Sequence, residues 1–360
     1  MANGMSVDKL IEVINTTLET VEPPSYEDLS RTRQKYIAAK QILKKRRKQL
    51  RGLGGTYRWD VKVTNHGQAE HVGAYEVEQV TVKDMFMKAN VPVRVTRGKY
   101  AFDIIEEELN GGPEQVVDVI KAREVDAYGD VVDKLEQSFW APGIDVTDDK
   151  TPWPIHHTIR PHPSASTPPG FNGGNPPGWP DKQGINCSAV TRFNNWTAGW
   201  KDMSDVSPGF IYRLNEAMDK THFQAPYPYP NRSPEEDDYM FLTGYALRQQ
   251  INQWLRRQND NIGRDLRNFF GDPMLNGTPV QWLEDYDDVG VWGTTMPFIG
   301  LNFSVIEVLQ VPGWDFKRIG PEKAPMQKTV VECFIYKMWN TINRDPSRSF
   351  MLNYFADLSA

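Results

Sequence analysis

Cysteine is almost missing from this chain: two in 360 residues, Cys187 and Cys333, far apart and in no paired motif. A disulfide framework is therefore excluded, and synthesis in a reducing cytosol fits. Long apolar runs are missing too. No segment approaches the ~18 residues needed to cross a bilayer. Met1–Glu12 lacks a charged region followed by an apolar one, so neither a membrane span nor a secretory signal is expected. There is no GxxxxGKS/T phosphate cradle, no GxSxG elbow, no HExxH and no CxxC.

Histidine is scarce, at six residues. Three of them, His156, His157 and His162, fall within seven positions and could bind a transition metal. Pro161 and Pro163 flank the third, however, and no carboxylate or thiol stands at ligand spacing. Acidic runs occur at Glu106-Glu107-Glu108, Glu235-Glu236-Asp237-Asp238, Glu284-Asp285 and Asp287-Asp288. Consecutive acids point apart into water, and no EF-hand spacing is present. No catalytic residue, metal or cofactor is expected.

What is present is unevenly placed. Net charge is −6, yet residues 30–51 hold ten basic residues and no acid: Arg31, Arg33, Lys35, Lys40, Lys44, Lys45, Arg46, Arg47, Lys48 and Arg51. The other 338 residues thus carry −16. A basic arm on an acidic body can meet nucleic acid or an acidic neighbour. Its one aromatic, Tyr36, and the lack of a reader motif favour sequence-independent contact with phosphates. Aromatics make up 11% of the chain, with 11 Trp and 14 Tyr, and suit cores and subunit contacts. The length allows two lobes, each with its own core.

Along the chain, Val7, Leu10, Ile11, Ile14, Leu18 and Val21 mark a first amphipathic helix stopped by Pro23-Pro24. A second helix runs from about Ser25, with Leu29, Tyr36, Leu43 and Leu50 seven apart, to the Gly52–Gly55 break. Tyr57–Val63 alternates, as does Val72–Val82, around the turn Asn65-His66-Gly67-Gln68; this predicts a polar hairpin over Tyr57–Lys83. A strand follows at Val91–Val95. Gly111-Gly112-Pro113 then opens a long helix to Trp140, with one stripe of Val116, Val117, Ile120, Ala127, Val131, Leu135 and Phe139. Residues 151–184, with nine prolines and five glycines, read as an extended surface loop. Beyond it come helices at Asp205–Thr221 and Tyr245–Asn259, with a strand at Met240–Leu242 between them. Strands are predicted at Pro279–Leu283, Phe303–Gln310, Phe316–Arg318, Thr329–Ile342 and Ser349–Phe355, the last two as an antiparallel pair about Asp345-Pro346-Ser347.

An arm, a projecting hairpin and a long helix need neighbouring copies to bury their apolar faces. In this order, together with Arg192-Phe193-Asn194-Asn195-Trp196 and Trp200, Phe223-Gln224-Ala225-Pro226, Tyr239–Thr243, Gly277-Thr278-Pro279-Val280, Gly313-Trp314-Asp315-Phe316, Met338-Trp339-Asn340 and Arg348–Tyr354, the chain resembles the major capsid proteins of tailed bacteriophages. The resemblance covers most of the chain. It implies an α+β, two-domain capsid fold: an N-terminal helical arm (1–55), an extended hairpin loop (56–90), a peripheral domain (91–147 and 325–360, with spine helix 113–140) and an axial domain (148–324, including loop 151–184).

It further implies a non-enzymatic shell subunit forming pentamers and hexamers of an icosahedral head around phage DNA. Portal, scaffold or cement proteins would be partners, and no membrane would be involved. The basic arm would face the lumen, and the hairpin tip, Asn65, His66, Gly67, Gln68 and Glu70, would touch a neighbour. Some members form a Lys–Asn cross-link; the corresponding turn here, Ala324-Pro325-Met326-Gln327, has no Asn, so none is expected. Removal of a large N-terminal segment is not expected either. Two other readings stay open: a metal-assisted hydrolase using His156, His157 or His162 with Glu235 or Asp237, and a nucleic-acid-binding or scaffolding module acting through the basic arm.

Overall fold

The computed structural model describes residues 36–44, 47–49, 55–64, 71, 84–103, 105, 113–222, 239–258, 273–293, 295–323 and 329–358. A short arm helix, Ile37–Lys44, leads to strand β1 (Arg47–Gln49), then β2 (Thr56–Lys62), β3 (Phe86–Pro92) and β4 (Arg94–Asp103). The long helix Pro113–Trp140 follows. Next come β5 (Trp196–Trp200), the helix Phe210–Thr221, β6 (Tyr239–Thr243), the helix Tyr245–Gln258, β7 (Met274–Leu275), β8 (Thr278–Trp282) and β9 (Phe298–Asn302). Strands β10 (Ile306–Gln310), β11 (Lys317–Lys323), β12 (Val330–Asn343) and β13 (Phe350–Tyr354) complete the chain.

Three sheets organise these elements: β1-β10-β12-β11 with β4 on the other side of β12, β5-β13-β9-β6-β8-β7, and the ribbon β2-β3. The 14-residue β12 is the axis of the first. It pairs along Val330–Trp339 with β4, and on its opposite side with β11 and then β10, all antiparallel. The long helix has the predicted bounds, Pro113–Trp140, about 42 Å at 1.5 Å per residue. Its stripe of Ile120, Ala127, Val131, Leu135 and Phe139 is buried. It lies on β4 where Gly98 stands: a Cβ there would come within 2.6 Å of Val131 Cγ2 and 3.1 Å of the Ala127 carbonyl. Glycine thus sets the distance between helix and sheet.

The six-stranded sheet is apolar on both faces. Met240, Leu242, Ile299, Leu301 and Met351 join the core shared with the long helix and β12. Phe241, Phe298, Phe350 and Leu352 point the other way, against the helices Phe210–Thr221 and Tyr245–Gln258. Strands buried on both faces read as continuous apolar runs, as Tyr239–Thr243 does.

Several expectations are corrected. The second arm helix does not run on to Leu50: it ends at Lys44, and Arg47–Gln49 pair in parallel with Val308–Gln310, because the edge of β10 offers backbone partners there. Of the seven-apart stripe only Tyr36 has a described side chain, and it is half-buried; beside it Ile37, Ala38 and Ala39 are buried. The partner of β2 is Phe86–Pro92, in register from Thr56 opposite Pro92 to Lys62 opposite Phe86. The alternation at 72–82 lies outside the described residues, apart from His71 before it. Strands β12 and β13 do not pair with each other; β13 lies parallel to β5 and antiparallel to β9. Asp345 instead opens a 3-10 turn, its carboxylate accepting the Ser347 N–H at 3.2 Å.

The segment 151–184 is no surface loop. Trp153, Ile155, His156, His157, Ile159, His162, Lys182 and Gln183 are buried, because its apolar and aromatic residues fill the space between the two larger sheets and the ribbon. Sheet membership also departs from the expected division: β10 and β11 belong with β12, and β13 with β5 and β9.

Candidate assembly surfaces

Two carboxylates of the long helix, Glu136 and Asp133, bond the start of the arm helix. Glu136 Oε1 accepts the N–H groups of Ile37 and Ala38, each at 3.1 Å, and Oε2 accepts that of Ala39 at 2.7 Å. Trp140 Nε1–H donates to Oε1 at 2.7 Å, and Tyr36 OH donates to Asp133 at 2.5 Å. A helix leaves its first N–H groups without intrahelical partners, and a negative charge there also suits the helix dipole. The arm helix has no acid in its own first turn, so the partner comes from 97 residues away. Burial raises the Glu136 pKa, while the four hydrogen bonds act in the opposite direction.

Of the basic residues expected to face the lumen, Lys40 is exposed on the arm helix. Lys44 ends that helix, and Arg47 and Lys48 belong to β1. Arg31, Arg33, Lys35, Lys45, Arg46 and Arg51 lie outside the described residues.

The ribbon β2-β3 is buried on one face only. Ala89 and Val91 are fully enclosed. Val91 packs with Trp153, Leu309 and Ile342, and Ala89 with Ile185, Cys187 and Phe193, while Tyr57, Trp59 and Val61 add to these contacts. Toward its far end the apolar support stops: Phe86 is 54% exposed, and Val63 N–H donating to Met85 O at 2.9 Å is among the last rungs. The expected tip, Asn65, His66, Gly67, Gln68 and Glu70, lies outside the described residues. Beside the ribbon, Val61, Val63, Val190 and Phe193 line a cleft of about 300 Å³ with Lys62 and Arg192.

A second exposed patch was not visible in the sequence. Tyr245 (55% exposed) and Trp282 (38%) meet edge to face with ring centroids 6.4 Å apart. Asp287 fixes both, accepting the Tyr245 N–H at 2.6 Å and the Trp282 Nε1–H at 2.5 Å. Of the acidic run Glu284–Asp288, this member is turned to cap the helix Tyr245–Gln258. Glu106–Glu108 and Glu235–Asp238 lie outside the described residues.

The three clustered histidines do not converge. His156 donates from Nδ1 to Ile159 O (3.2 Å), so its Nε2 accepts from Tyr286 OH (3.0 Å). His162 donates from Nε2 to Thr167 O (3.1 Å), and its Nδ1 accepts from Thr197 Oγ1 (3.0 Å). His157 stacks on Trp153 with centroids 4.4 Å apart. Burial lowers all three pKa values, those of His156 and His157 to about 3. Among the described residues no three His, Cys, Asp or Glu side chains are grouped to hold a metal, and no helix is long and apolar enough to cross a membrane. Glu235 and Asp237, the acids paired with these histidines in the hydrolase reading, lie outside the described residues. So does the turn 324–327.

No protein-family model matches the chain, and comparison with curated proteins finds no match. Solved structures do match along nearly its full length. A chain of the cyanophage A-1(L) capsid asymmetric unit is similar with a TM-score of 0.59 at 12% identity, covering 95% of this chain and 98% of that one. A chain of the capsid of a native GTA particle gives 0.52 at 11% identity, covering 93% and 96%. One from the capsid of Myoviridae phage XM1 gives 0.52 at 10% identity, covering 98% and 100%. The chain has the α+β fold of phage capsid subunits.

Proposed function

We propose that this chain is a major capsid protein, self-assembling into the icosahedral head shell of a tailed phage around its genomic DNA. The observation that carries the reading is the fold likeness to the cyanophage A-1(L) capsid chain, which spans 95% of this chain and 98% of that one. The exposed elements support it. A ribbon buried on one face only at its base and an aromatic pair in solvent are surfaces that repeated subunit contacts would cover. Closed symmetry makes the sum of modest contacts large.

In this reading the arm is 1–55 and the extended loop is the ribbon. The peripheral domain is the long helix with the sheet of β4, β10, β11 and β12, and the axial domain is the sheet of β5–β9 and β13 with its two helices. The protein acts without catalysis or cofactor, as part of the virion, after assembly in the host cytoplasm. Its partners are further copies in pentamers and hexamers, with portal, scaffold or cement proteins. The basic arm, Lys40 included, makes non-specific contact with packaged double-stranded DNA.

The test is the mass distribution of the purified protein by mass photometry, with negative-stain images. Closed particles or pentameric and hexameric rings are expected. A stable 41.2 kDa monomer, unchanged by crowding agents or a scaffold, overturns the reading.

A further inference from the structure

Lys182 is fully buried, and its ammonium Nζ has no hydrogen-bond partner among the described residues. Two more groups nearby share that condition: both ring nitrogens of His157, a residue 1% exposed, and the Nε1–H of Trp153. The His157 ring lies flat on Trp153 and meets Trp179 edge-on at 5.0 Å. Asn343 joins the two segments. Its Nδ2 donates to Thr158 Oγ1 at 3.3 Å. The Gln183 amide, oriented to satisfy both groups, donates to Asn343 O at 2.8 Å and accepts its N–H at 3.1 Å. Lys182 and His157, each next in sequence to one of these partners, thus flank one residue.

The charged groups that act on the His157 ring are both cations. Lys182 and Arg160 both act on the His157 ring, and Arg160 acts on Lys182. Arg160 directs its Nη1 to the carbonyls of Pro142 and His156, which neutralise nothing. The Cys187 thiol is held protonated by burial, and Asp181 accepts the Gly184 N–H at 3.0 Å. An ammonium buried without a counter-charge is among the costliest arrangements a protein can hold. Burial lowers the Lys182 pKa from 10.5 to about 8, which leaves most of it charged at pH 7.5, and water would satisfy its donors without balancing that charge.

We propose that these three unpartnered groups, Lys182 Nζ, the Trp153 Nε1–H and a ring N–H of His157, hold a small monatomic anion, a halide. Enclosure of Lys182 and His157 favours a single atom over a phosphate or sulfate. The site lies under the base of the ribbon. Lys182 and Ile185 exchange backbone hydrogen bonds at 2.8 and 3.1 Å, and Asn90 N–H of β3 donates to Gln183 O at 2.9 Å. Gly184, at φ +82°, lets β3 settle on this turn, since a Cβ would come 2.8 Å from Asn90 Nδ2. The anion would therefore stiffen the floor on which the ribbon rests.

The test is thermal unfolding of the full-length protein at pH 7.5 in sodium chloride, bromide or gluconate at one ionic strength. Chloride and bromide are expected to raise Tm saturably over gluconate by roughly 2–4 °C. Lys182→Met, which keeps the side-chain length and removes the charge, should abolish that response. Should that variant not fold, Trp153→Phe should raise the half-saturating halide concentration at least threefold (about 0.65 kcal/mol by RT ln 3). Crystals grown in bromide should show its anomalous signal beside Lys182 Nζ. Equal Tm in all three salts, a response that survives Lys182→Met, or water at that position in bromide crystals overturns the proposal.

Discussion

Glu136 and Ala39, 97 residues apart, are joined by a 2.7 Å hydrogen bond from the Ala39 N–H to the Glu136 carboxylate. The bond makes the long helix the N-cap of the arm helix, a role that a residue adjoining the helix normally fills. Glu136 thus ties the start of the arm helix to the body through three backbone donors, with one indole on the same carboxylate, beside the Tyr36–Asp133 hydrogen bond and the pairing of Arg47–Gln49 with β10.

Replacing Glu136 with Gln keeps the shape, removes the charge and turns an amide N–H toward groups that are all donors. A buried donor left unsatisfied costs about 1–3 kcal/mol. Amide hydrogen exchange at Ile37–Ala39 should accelerate about tenfold or more, 1.4 kcal/mol being a factor of ten, while exchange in the middle of β12 stays as in the wild type. Unchanged exchange at the three arm amides would show that the carboxylate does not hold the arm.

Much of this arrangement was legible in the sequence, for identifiable reasons. The helix Pro113–Trp140 has a stop signal, a proline suited to its first turn and one apolar stripe, all local. Tyr57, Trp59 and Val61 alternate within one strand. The errors are non-local. That Phe86–Pro92 pairs with β2 rests on the packing of Ala89 and Val91 on Ile185 and Trp153, a contact in space that alternation along the chain does not show. The turn at Asp345-Pro346-Ser347 predicts that β13 pairs with its neighbour in sequence, yet both sides of β12 are occupied by β4, β10 and β11. Composition misled over 151–184, where the prolines and glycines hid Trp153, Ile155 and Ile159 as core. The cap by Glu136 has no sequence signal beyond an acid beside the buried stripe.

The buried histidines predict how stability depends on pH. The pKa values of His156 and His157 are depressed from 6.5 to about 3 in the fold. Below pH 6.5 the unfolded chain therefore binds protons that the folded one refuses, and stability falls as pH drops toward 3. At pH 5 the loss is roughly 2 kcal/mol per imidazole. His156→Gln can still meet Tyr286 OH and Ile159 O without titrating. Comparing urea midpoints between pH 7.5 and 5 should show a loss smaller by about 2 kcal/mol in this variant, an average slope shallower by roughly 0.6 proton. Equal slopes would mean that His156 is not held neutral.

The ribbon allows a role in folding to be tested apart from a role in assembly. Its base is fixed by Ala89 and Val91 and by the ladder from Thr56 opposite Pro92 to Lys62 opposite Phe86. Deleting Asn65–Glu70 removes six residues beyond that ladder, and changing a loop by this length costs on the order of 0.5 kcal/mol in closure entropy. The deleted subunit should therefore unfold within about 2 °C of the wild type. If the expected tip grips a neighbour, particle yield should fall at least tenfold, with the protein accumulating as free capsomers or monomers. A folded deletion variant that forms shells at wild-type yield would remove the tip from the assembly contact. A variant that fails to fold would mean that residues 65–70 support the subunit itself.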